Sequence, residues 1–217
     1  MDIRWKHPFT CIVSGPTMCG KTVFVKRFLA NLTDMCNARF DRVLFYYGEW
    51  QESYRSEFKI AGGQSIEFRE GLPQPADYSN DNDKKKLLIL DDLMRESSSS
   101  VVLDLFVRGC HHKNISTIYL CQNLFYKGSN QRDLSLNSNY IVLFKNPRDR
   151  AQIQYLARQV YPEDPKFLQE AYMDACSPPH SYLLLDLKQD TPDEFRFRTC
   201  IFPDDAARYA YVPRKSR

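Results

Sequence analysis

The sequence has no long apolar run and no leader-like start. Its longest purely aliphatic stretch is Leu87–Leu90, far below the roughly 18 residues that predict a membrane-spanning helix. No basic start followed by an apolar segment opens the chain, so we expect no secretory signal. The seven cysteines are odd in number and include no Cys-x-x-Cys pair. This pattern disfavours a disulfide framework or a zinc site and favours reduced thiols inside a cell.

Neither sign of charge dominates the composition. The 30 Lys and Arg residues against 27 Asp and Glu residues give a formal net charge of +3, a balance too mild to diagnose or exclude nucleic-acid binding. Hydrophobic residues make up 43% of the chain and charged residues 26%, so wholesale disorder is excluded. The length of 217 residues predicts a single domain, 1–217, with a core at about 9–160 and an extension at about 161–217.

Apolar strand-like runs alternate with helix-like stretches, which is the pattern of an α/β domain with a mainly parallel sheet. The five main predicted strands are Phe9–Val13, Arg42–Tyr47, Leu87–Leu90, Ser116–Leu120 and Tyr140–Phe144. A further short strand is expected at Ile66–Phe68, within the loop-like segment Gly62–Asn82. After the first strand comes a glycine-containing turn and then a helix with one apolar face. That face consists of Val25, Phe28, Leu29 and Leu32.

Two helices and a hairpin are expected after the fifth main strand. The predicted helices begin at Asn146-Pro147 and Asp164-Pro165, and the predicted hairpin strands are Tyr182–Leu187 and Phe195–Phe202. An N-cap residue followed by proline is a typical helix start, and the hairpin would extend the edge of the sheet. Because Arg196 and Arg198 are two residues apart, we expect them to share one solvated strand face, with DNA contact as the alternative.

The strongest local signal is a phosphate-loop motif, G-x-x-x-x-G-K-[ST], between the first strand and the following helix. It is Gly15-Pro16-Thr17-Met18-Cys19-Gly20-Lys21-Thr22. We expect Gly15 and Gly20 to adopt backbone angles that residues with a Cβ avoid, so that N–H groups of Met18–Thr22 converge on phosphate oxygens. Lys21 would then reach the β and γ phosphates, and the Thr22 hydroxyl would bind Mg²⁺. The flanking strand and helix disfavour a chance glycine turn.

Polar residues follow the third and fourth main strands, at the edge of a parallel sheet where ligands bind. Asp91 is expected to hold Mg²⁺ through water, and Asp92 to orient or deprotonate an attacking water. If the fourth strand lies between the first and third, Gln122 points at the γ-phosphate and senses its hydrolysis. The alternative for Asp91 and Asp92 is a surface acid pair that caps the next turn, and the alternative for Gln122 is an exposed strand end.

The phosphate loop and three further segments together resemble one family, the FtsK/HerA-type ATPases that package DNA in viruses. The segments are Gly15–Thr22, Leu87–Asp92, His111–Phe125 and Ser135–Asp149. Within this family the chain is similar above all to the ATPases of Polinton (Maverick) elements and adintoviruses, and more distantly to the poxvirus packaging ATPase. The resemblance runs from about Phe9 to Val160. Its specific part is the stretch from His111 to Asp149, because very many proteins share the phosphate loop.

The resemblance implies a RecA-like P-loop domain of the additional-strand, catalytic-acid type, with the fourth strand between the first and third. It implies ATP and Mg²⁺ as cofactors and hydrolysis in a homo-oligomeric, hexameric ring. The ring would drive double-stranded DNA of any sequence into a capsid, with a capsid component as partner and no membrane. This would happen at the virion assembly site of an infected host cell, nuclear or cytoplasmic.

By the same match, five residues take the roles given above: Lys21, Thr22, Asp91, Asp92 and Gln122. The wider superfamily commonly has Glu where this chain has Asp92. It is therefore an open question whether the shorter side chain of Asp92 reaches the attacking water. Arg108 is similar in position to the family's arginine finger, which neutralises transition-state charge in a neighbouring subunit's site. The competing arginines are Arg95, Arg132 and Arg148. For each of them, a solvated or ion-paired residue is the alternative.

The DNA-contacting residues are harder to locate. Lys127 and Arg132 lie in Phe125–Asn139, which we expect to be a loop after the γ-phosphate sensor. Such a loop would line the ring channel and touch DNA phosphates without reading sequence, or else be an ordinary surface loop.

Two rival functions remain open. An AAA+-like replicative helicase or loader would need a helical lid with a second sensor arginine, and the two predicted helices after the fifth strand resemble one, although strands are expected to follow them. A nucleotide-dependent switch would bind a partner and scarcely turn over. A guanine switch would need an Asn-Lys-x-Asp base reader, and the sequence has no Asn-Lys pair.

Overall fold

The structure is a computed structural model, and it describes residues 2–52, 54, 58–78, 84–91, 93, 100–109, 114–125 and 129–214. Its strands are β1 (Thr10–Ser14), β2 (Arg42–Tyr47), β3 (Ile66–Glu70), β4 (Lys86–Asp91), β5 (Ile115–Cys121), β6 (Tyr140–Phe144), β7 (Tyr182–Asp186), β8 (Phe197–Thr199) and β9 (Tyr209–Tyr211). Its α-helices are α1 (Lys21–Ala30), α2 (Leu32–Met35), α3 (Pro75–Tyr78), α4 (Ser100–Asp104), α5 (Ser129–Leu136), α6 (Ala151–Val160) and α7 (Pro165–Ala175). A π-helical turn at Leu105–Gly109 continues α4, and a 3₁₀ turn covers Asp193–Phe195.

These strands form one sheet in the order β3-β2-β4-β5-β1-β6-β7-β8-β9. From β3 to β6 in that order all neighbours are parallel, and β7, β8 and β9 are added antiparallel. β5, the fourth main strand of the sequence analysis, lies between β1 and β4 as expected. The fold is therefore mixed α/β with a large, mostly parallel central sheet, consistent with a P-loop NTPase.

The parallel register brings the carboxyl ends of three central strands to one edge. Ser14 at the end of β1 pairs with Cys121 at the end of β5, and Leu120 pairs with Asp91 at the end of β4. Every residue of these three strands is buried, as expected for parallel strands covered on both faces. The chain segments that leave the three strands therefore emerge side by side.

Helices cover both faces of the sheet. On one face α1 buries Val25, Phe28 and Leu29, the apolar stripe predicted from the sequence. Leu32 belongs to α2 rather than α1 and is buried in the same cluster. On the other face Leu156 of α6 belongs to a second cluster that includes residues of α4 and α7. Among the described residues, no helix has the length and apolar character needed to cross a membrane.

The predicted C-terminal hairpin is present, because β7 pairs with β6 and β8 pairs with β7. A third strand, β9, was not expected, since three largely exposed residues are too few to show an alternating pattern. Helices α6 and α7 pack on each other, and α7 packs on β7. The two helices therefore pack on the sheet, and strands follow them in the chain. The interpretation of these helices as the helical lid of an AAA+ protein is not favoured.

One predicted helix start is wrong and the other is confirmed. Asn146-Pro147 forms a turn in which the Arg148 N–H donates to Asn146 Oδ1 at 3.2 Å, and α6 begins only at Ala151. At the second start, Asp164 caps α7 by accepting a hydrogen bond from the Phe167 N–H at 3.1 Å. Both motifs consist of an Asn or Asp residue followed by proline, so at Asn146 a side chain that holds a short turn replaces the cap of a helix.

The expectation that Phe125–Asn139 is a loop is also wrong, because the segment contains α5. Leu134 is fully buried and anchors the helix. At its carboxyl end the Asn137 amide donates to the Asp133 carbonyl at 2.7 Å, and the Ser138 hydroxyl donates to the Leu134 carbonyl at 2.7 Å. These bonds satisfy carbonyls that a helix end leaves unpaired, and they stabilise a helix that its polar composition did not predict.

The expectation of a solvated face at Arg196 and Arg198 is wrong for Arg198. This side chain is 6% exposed and donates to Asp186 Oδ2 at 2.7 Å, and Asp186 is 5% exposed. The guanidinium also donates to the Ile3 carbonyl at 3.1 Å, which ties the N-terminal segment to β8. Burial raises the pKa of Asp186 and lowers the pKa of Arg198. Desolvation therefore disfavours the charged form of each side chain, whereas the ion pair between them favours it.

We predict that Arg198→Met lowers the free energy of unfolding by about 3–5 kcal/mol, because it leaves the buried Asp186 carboxylate without its partner. Adding Asp186→Leu should recover most of the loss, since the uncompensated charge is then removed. Denaturant unfolding of the single and double variants measures both effects.

The exposed pair of Lys166 and Glu170, with Nζ and Oε1 3.7 Å apart, gives the control for this measurement. Lys166→Met should cost less than about 1 kcal/mol, as is usual for surface ion pairs. An Arg198→Met variant that loses no more than this control would contradict the structural role of the buried pair.

Candidate active site

The phosphate loop connects β1 to α1, and its two glycines are needed for different reasons. Gly20 has a φ of 115°, a conformation that strains residues with a Cβ. Gly15 does not have a positive φ, so the predicted backbone reason is wrong for it. A Cβ at Gly15 would lie 2.6 Å from Cys19 Sγ and 2.7 Å from Phe144 Cβ. The loop is thus packed closely against the end of β6, which only glycine permits.

The Lys21 ammonium lies inside this loop. Its Nζ donates to the Gly15 carbonyl at 2.6 Å and to the Pro16 carbonyl at 3.0 Å. The cation is therefore held against the loop backbone by two neutral acceptors. Because a phosphate oxygen carries negative charge, it would be a stronger partner for Lys21 than either carbonyl.

A cleft of about 240 Å³ opens beside the loop at the carboxyl edge of β4 and β5. It is lined by Thr17, Met18, Lys21, Thr22, Gln51, Asp91, Leu120, Cys121 and Gln122. The structure therefore brings together six of the predicted site residues: Thr17, Met18, Lys21, Thr22, Asp91 and Gln122. The shared edge of β1, β5 and β4 is the reason, because the phosphate loop connects the end of β1 to α1, Asp91 ends β4 and Gln122 follows β5.

Asp91 is held in place by a tyrosine that the sequence analysis missed. The Tyr54 hydroxyl donates to Asp91 Oδ2 at 2.8 Å, and both side chains are buried. The Tyr54 ring stacks on Phe68 at a centroid distance of 6.0 Å and lies against Phe45 at 5.0 Å. Trp50 also contacts this cluster. The orientation of the carboxylate is thus fixed by an aromatic cluster that extends to the edge of the sheet.

Gln51 is the second residue that the sequence analysis missed, since it lines the cleft. Both missed residues follow β2, which pairs with β4 in the sheet. The available signal was the aromatic-rich stretch Tyr46–Tyr54 after a predicted strand. That signal would have pointed to the site only if β2 had been known to lie next to β4.

Two cysteines near the loop are neutral groups rather than reactive thiolates. Burial raises the pKa of Cys19 above its usual value, although the Lys21 charge acts in the opposite direction. Burial also raises the pKa of Cys121 to about 11. Both thiols are therefore protonated at neutral pH, and neither cancels the positive charge of Lys21.

The chain that follows Gln122 is fixed to α6 by a polar network. Gln152 accepts a hydrogen bond from the Leu124 N–H at 3.2 Å and donates to Asp149 Oδ2 at 2.9 Å. Asn123 donates to the same carboxylate oxygen at 3.5 Å, while its own Oδ1 accepts from the Phe125 N–H at 2.8 Å. These hydrogen bonds therefore connect the residues next to Gln122 with the start of α6.

The other predicted residues lie elsewhere. Arg108 is in the π-helical turn, with a 72% exposed side chain and its Nε 3.8 Å from Asp104 Oδ1. Arg132 is an exposed residue of α5, and Arg148 is an exposed residue of the turn before α6. None of these three arginines lines the cleft of its own chain. Three predicted residues lie outside the described residues: Asp92, Arg95 and Lys127.

The oxygen donors of the cleft fit Mg²⁺. Thr22 and Asp91 both line the cleft, and Mg²⁺ is typically bound by one or two protein oxygens together with phosphate oxygens and waters. These two residues would hold the ion, directly or through water. In the part of the chain that the structure describes, no group of three or more His, Cys, Asp or Glu side chains is arranged to hold a metal.

The fold of the chain is similar to that of a solved protein structure. No protein-family model matches the sequence, and no curated protein matches it either. Among solved structures, the chain is similar to the genome packaging NTPase B204 from Sulfolobus turreted icosahedral virus 2 in complex with ATPγS. The TM-score is 0.57 at 10% sequence identity, and the match covers 94% of this chain and 97% of that chain. At so low an identity the likeness shows the fold.

We predict that Tyr54→Phe weakens the Mg²⁺-dependent part of ATPγS binding about fivefold, because one hydrogen bond that orients Asp91 is lost, at a cost of about 1 kcal/mol. Calorimetric titration of ATPγS across a range of Mg²⁺ concentrations measures the change. Binding without Mg²⁺ should stay as in the wild type, since Tyr54 does not line the phosphate loop.

Tyr46 gives a matched control for this substitution. It is a buried tyrosine of β2 whose hydroxyl has no hydrogen-bond partner among the residues that the structure describes, so Tyr46→Phe should leave the Mg²⁺ dependence unchanged. Equal effects of the two substitutions, or an equal loss with and without Mg²⁺, would show that Tyr54 does not act through Asp91.

Proposed function

We propose that this protein is an ATP-hydrolysing motor that drives double-stranded DNA into a viral capsid. The observation that carries the proposal is the cleft in which Lys21, Thr22, Asp91 and Gln122 meet at the carboxyl edge of β1, β4 and β5. The fold likeness to a genome packaging NTPase, described in complex with ATPγS, supports it. The resemblance of the sequence to the packaging ATPases of Polinton elements and adintoviruses is the finer part of the proposal.

In this proposal each side chain of the cleft has one task. Lys21 leaves the carbonyls of Gly15 and Pro16 and binds the β and γ phosphates. The Thr22 hydroxyl and Asp91 would hold Mg²⁺, which would supply positive charge next to the phosphates. Asp92 orients or deprotonates the attacking water.

Gln122 would transmit the state of the γ-phosphate to the rest of the chain. It is exposed to the cleft, and the next residue, Asn123, belongs to the network with Asp149 and Gln152. That network joins the end of β5 to α6. On this route, loss of the γ-phosphate would alter the segment Phe125–Asn139, where we propose that Lys127 and Arg132 contact DNA.

The oligomer follows from the same reasoning. Because Arg108 is exposed and does not line the cleft of its own chain, it is available to enter the site of a neighbouring subunit. We propose a homo-oligomeric ring, hexameric by the resemblance, that consists of one domain (1–217) per subunit and associates with a capsid component. The motor would act at the virion assembly site inside an infected host cell.

We predict that linear duplex DNA of any sequence accelerates steady-state ATP hydrolysis, and that the acceleration fades as salt is raised from about 50 to 200 mM, because phosphate contacts release counterions. Lys21→Ala should abolish turnover with and without DNA. A coupled phosphate-release assay measures both.

Turnover in Lys21→Ala at the wild-type rate would contradict the role of the phosphate loop. Wild-type turnover that does not respond to DNA would instead favour a nucleotide-dependent switch that binds a partner and does not translocate DNA.

We predict that Arg108→Ala assembles like the wild type but hydrolyses ATP poorly, because the arginine completes the neighbouring site. Mixing it with Asp92→Ala protein should restore part of the activity, since some interfaces then combine an intact cleft with an intact arginine. Mass measurement of the assemblies accompanies the assay.

The matched controls are Arg132→Ala and Arg148→Ala, each an exposed arginine outside the cleft, and they are assayed without DNA because Arg132 is also a proposed DNA contact. If Arg108→Ala keeps its assembly state and mixing restores nothing, Arg108 is not the finger. Rescue of one of the two controls by Asp92→Ala would assign the role to that arginine.

A further inference from the structure

A second cavity, of about 480 Å³, lies on the opposite side of the phosphate loop from the cleft. It is lined by Met18, Gly20, Lys21, Thr22, Val23, Phe24, Arg27, Phe144, His180, Tyr182 and Phe202. Met18, Lys21 and Thr22 line both cavities. A molecule whose phosphates occupy the loop can therefore extend from the cleft into this second cavity.

We propose that this cavity is the base pocket of the nucleotide site, and that it receives a purine by stacking rather than by reading the polar edge of the base. The inference rests on the proposed function, because it assumes that a nucleoside triphosphate binds in the loop. It adds the C-terminal residues His180, Tyr182 and Phe202 to the site, which neither the sequence motifs nor the comparisons assign.

The walls of the cavity have the chemistry that a flat aromatic ligand requires. Phe24 of α1 lies edge-on to Tyr182 at a centroid distance of 5.0 Å and to Phe202 at 5.2 Å, and Phe144 of β6 lies 5.6 Å from Tyr182. Small-molecule sites are typically concave, largely apolar and about 300–1,000 Å³ in volume. This cavity meets each of these conditions, and it is next to a loop suited to phosphate.

A cation and two acids hold Phe202 rigidly in this wall. The Arg27 guanidinium lies 4.2 Å from the centroid of the Phe202 ring and forms ion pairs with Asp204 at 2.8 Å and Asp205 at 2.9 Å. Asp205 also accepts a hydrogen bond from the Phe202 N–H at 2.8 Å. The C-terminal segment is thus attached to α1, which begins at the phosphate loop, so the same helix connects the pocket to the loop.

His180 forms the outer wall of the pocket and is attached to the loop itself. Its φ of 60° is uncommon for a residue with a side chain. The ring is exposed, and its Nδ1 lies 3.2 Å from the Cys19 carbonyl. Since a carbonyl oxygen only accepts hydrogen bonds, Nδ1 is the donor in this contact. An exposed aromatic ring held over an apolar cavity is available to stack on a base.

Three polar groups of the pocket are already engaged, which predicts weak discrimination between bases. Arg27 is bound to two carboxylates, the Tyr182 hydroxyl accepts from the Ile201 N–H at 3.3 Å, and His180 Nδ1 is bound to the loop. A site rejects a wrong ligand strongly only when its own polar groups would be left unpaired. Adenine and guanine nucleotides should therefore bind within about fivefold of each other.

The test compares ligands that share the phosphates but differ in the base. We would titrate wild type and His180→Ala with ATPγS, GTPγS and inorganic tripolyphosphate, each with Mg²⁺, by calorimetry. His180→Ala should weaken ATPγS and GTPγS about tenfold each, the usual scale for losing one stacked ring. Tripolyphosphate affinity should stay within about twofold, because it has no base.

A second variant and a control protect the result from indirect effects. Val23→Trp, on the exposed part of α1 that lines the pocket, should fill the cavity and weaken ATPγS while sparing tripolyphosphate. Tyr155→Ala, which removes an exposed ring of α6 outside the pocket, should change neither ligand. Thermal unfolding of each variant verifies that it is folded.

The outcomes separate this inference from the proposed function. If wild type binds neither ATPγS nor tripolyphosphate, the proposed function fails and the base pocket with it. If wild type binds both and the two variants bind ATPγS normally, the base pocket is overturned and the proposed function stands. Equal losses of ATPγS and tripolyphosphate in His180→Ala would also overturn it, because His180 would then act on the loop through the Cys19 carbonyl.

Discussion

The parallel register of β1, β5 and β4 is the constraint on which the candidate site depends. Because Ser14, Cys121 and Asp91 end their strands at the same edge, the phosphate loop, Gln122 and the acid meet at one cleft. A register slip of one residue in β5 would exchange its two faces and turn Gln122 away. Since all of β5 is buried, such a slip would disrupt packing on both sides of the sheet. The packing of the core therefore fixes the position of Gln122 relative to Asp91 and the phosphate loop.

The C-terminal part of the chain completes this arrangement. The buried pair of Asp186 and Arg198 holds β7 and β8 together, and the segments that flank these strands carry His180 and Phe202 back to the phosphate loop and α1. The fit is close: a Cβ at Gly20 would lie 3.2 Å from the Phe144 ring. The loop is thus supported from both sides of β1, by β5 and the acid on one side and by β6 and β7 on the other.

What was predictable from the sequence is what adjacent residues encode. The phosphate loop is one contiguous motif, and strands buried on both faces are continuous apolar runs, so both were found. The contact of Tyr54 with Asp91 joins residues 37 positions apart and depends on β2 lying beside β4, which no local pattern reveals. Arg198 was misplaced for a similar reason. Alternation shows that two residues share a strand face, but only the sheet order shows that the chain covers that face.

The most direct test of the central claim is an experimental structure of the protein with ATPγS and Mg²⁺. The account predicts that Lys21 Nζ, now within 3.0 Å of the Gly15 and Pro16 carbonyls, moves to oxygens of the terminal phosphates. It also predicts that Asp91 and Gln122 flank that end of the nucleotide. A nucleotide bound away from the loop, or a bound state in which Lys21 keeps both carbonyls and contacts no phosphate, would contradict the account.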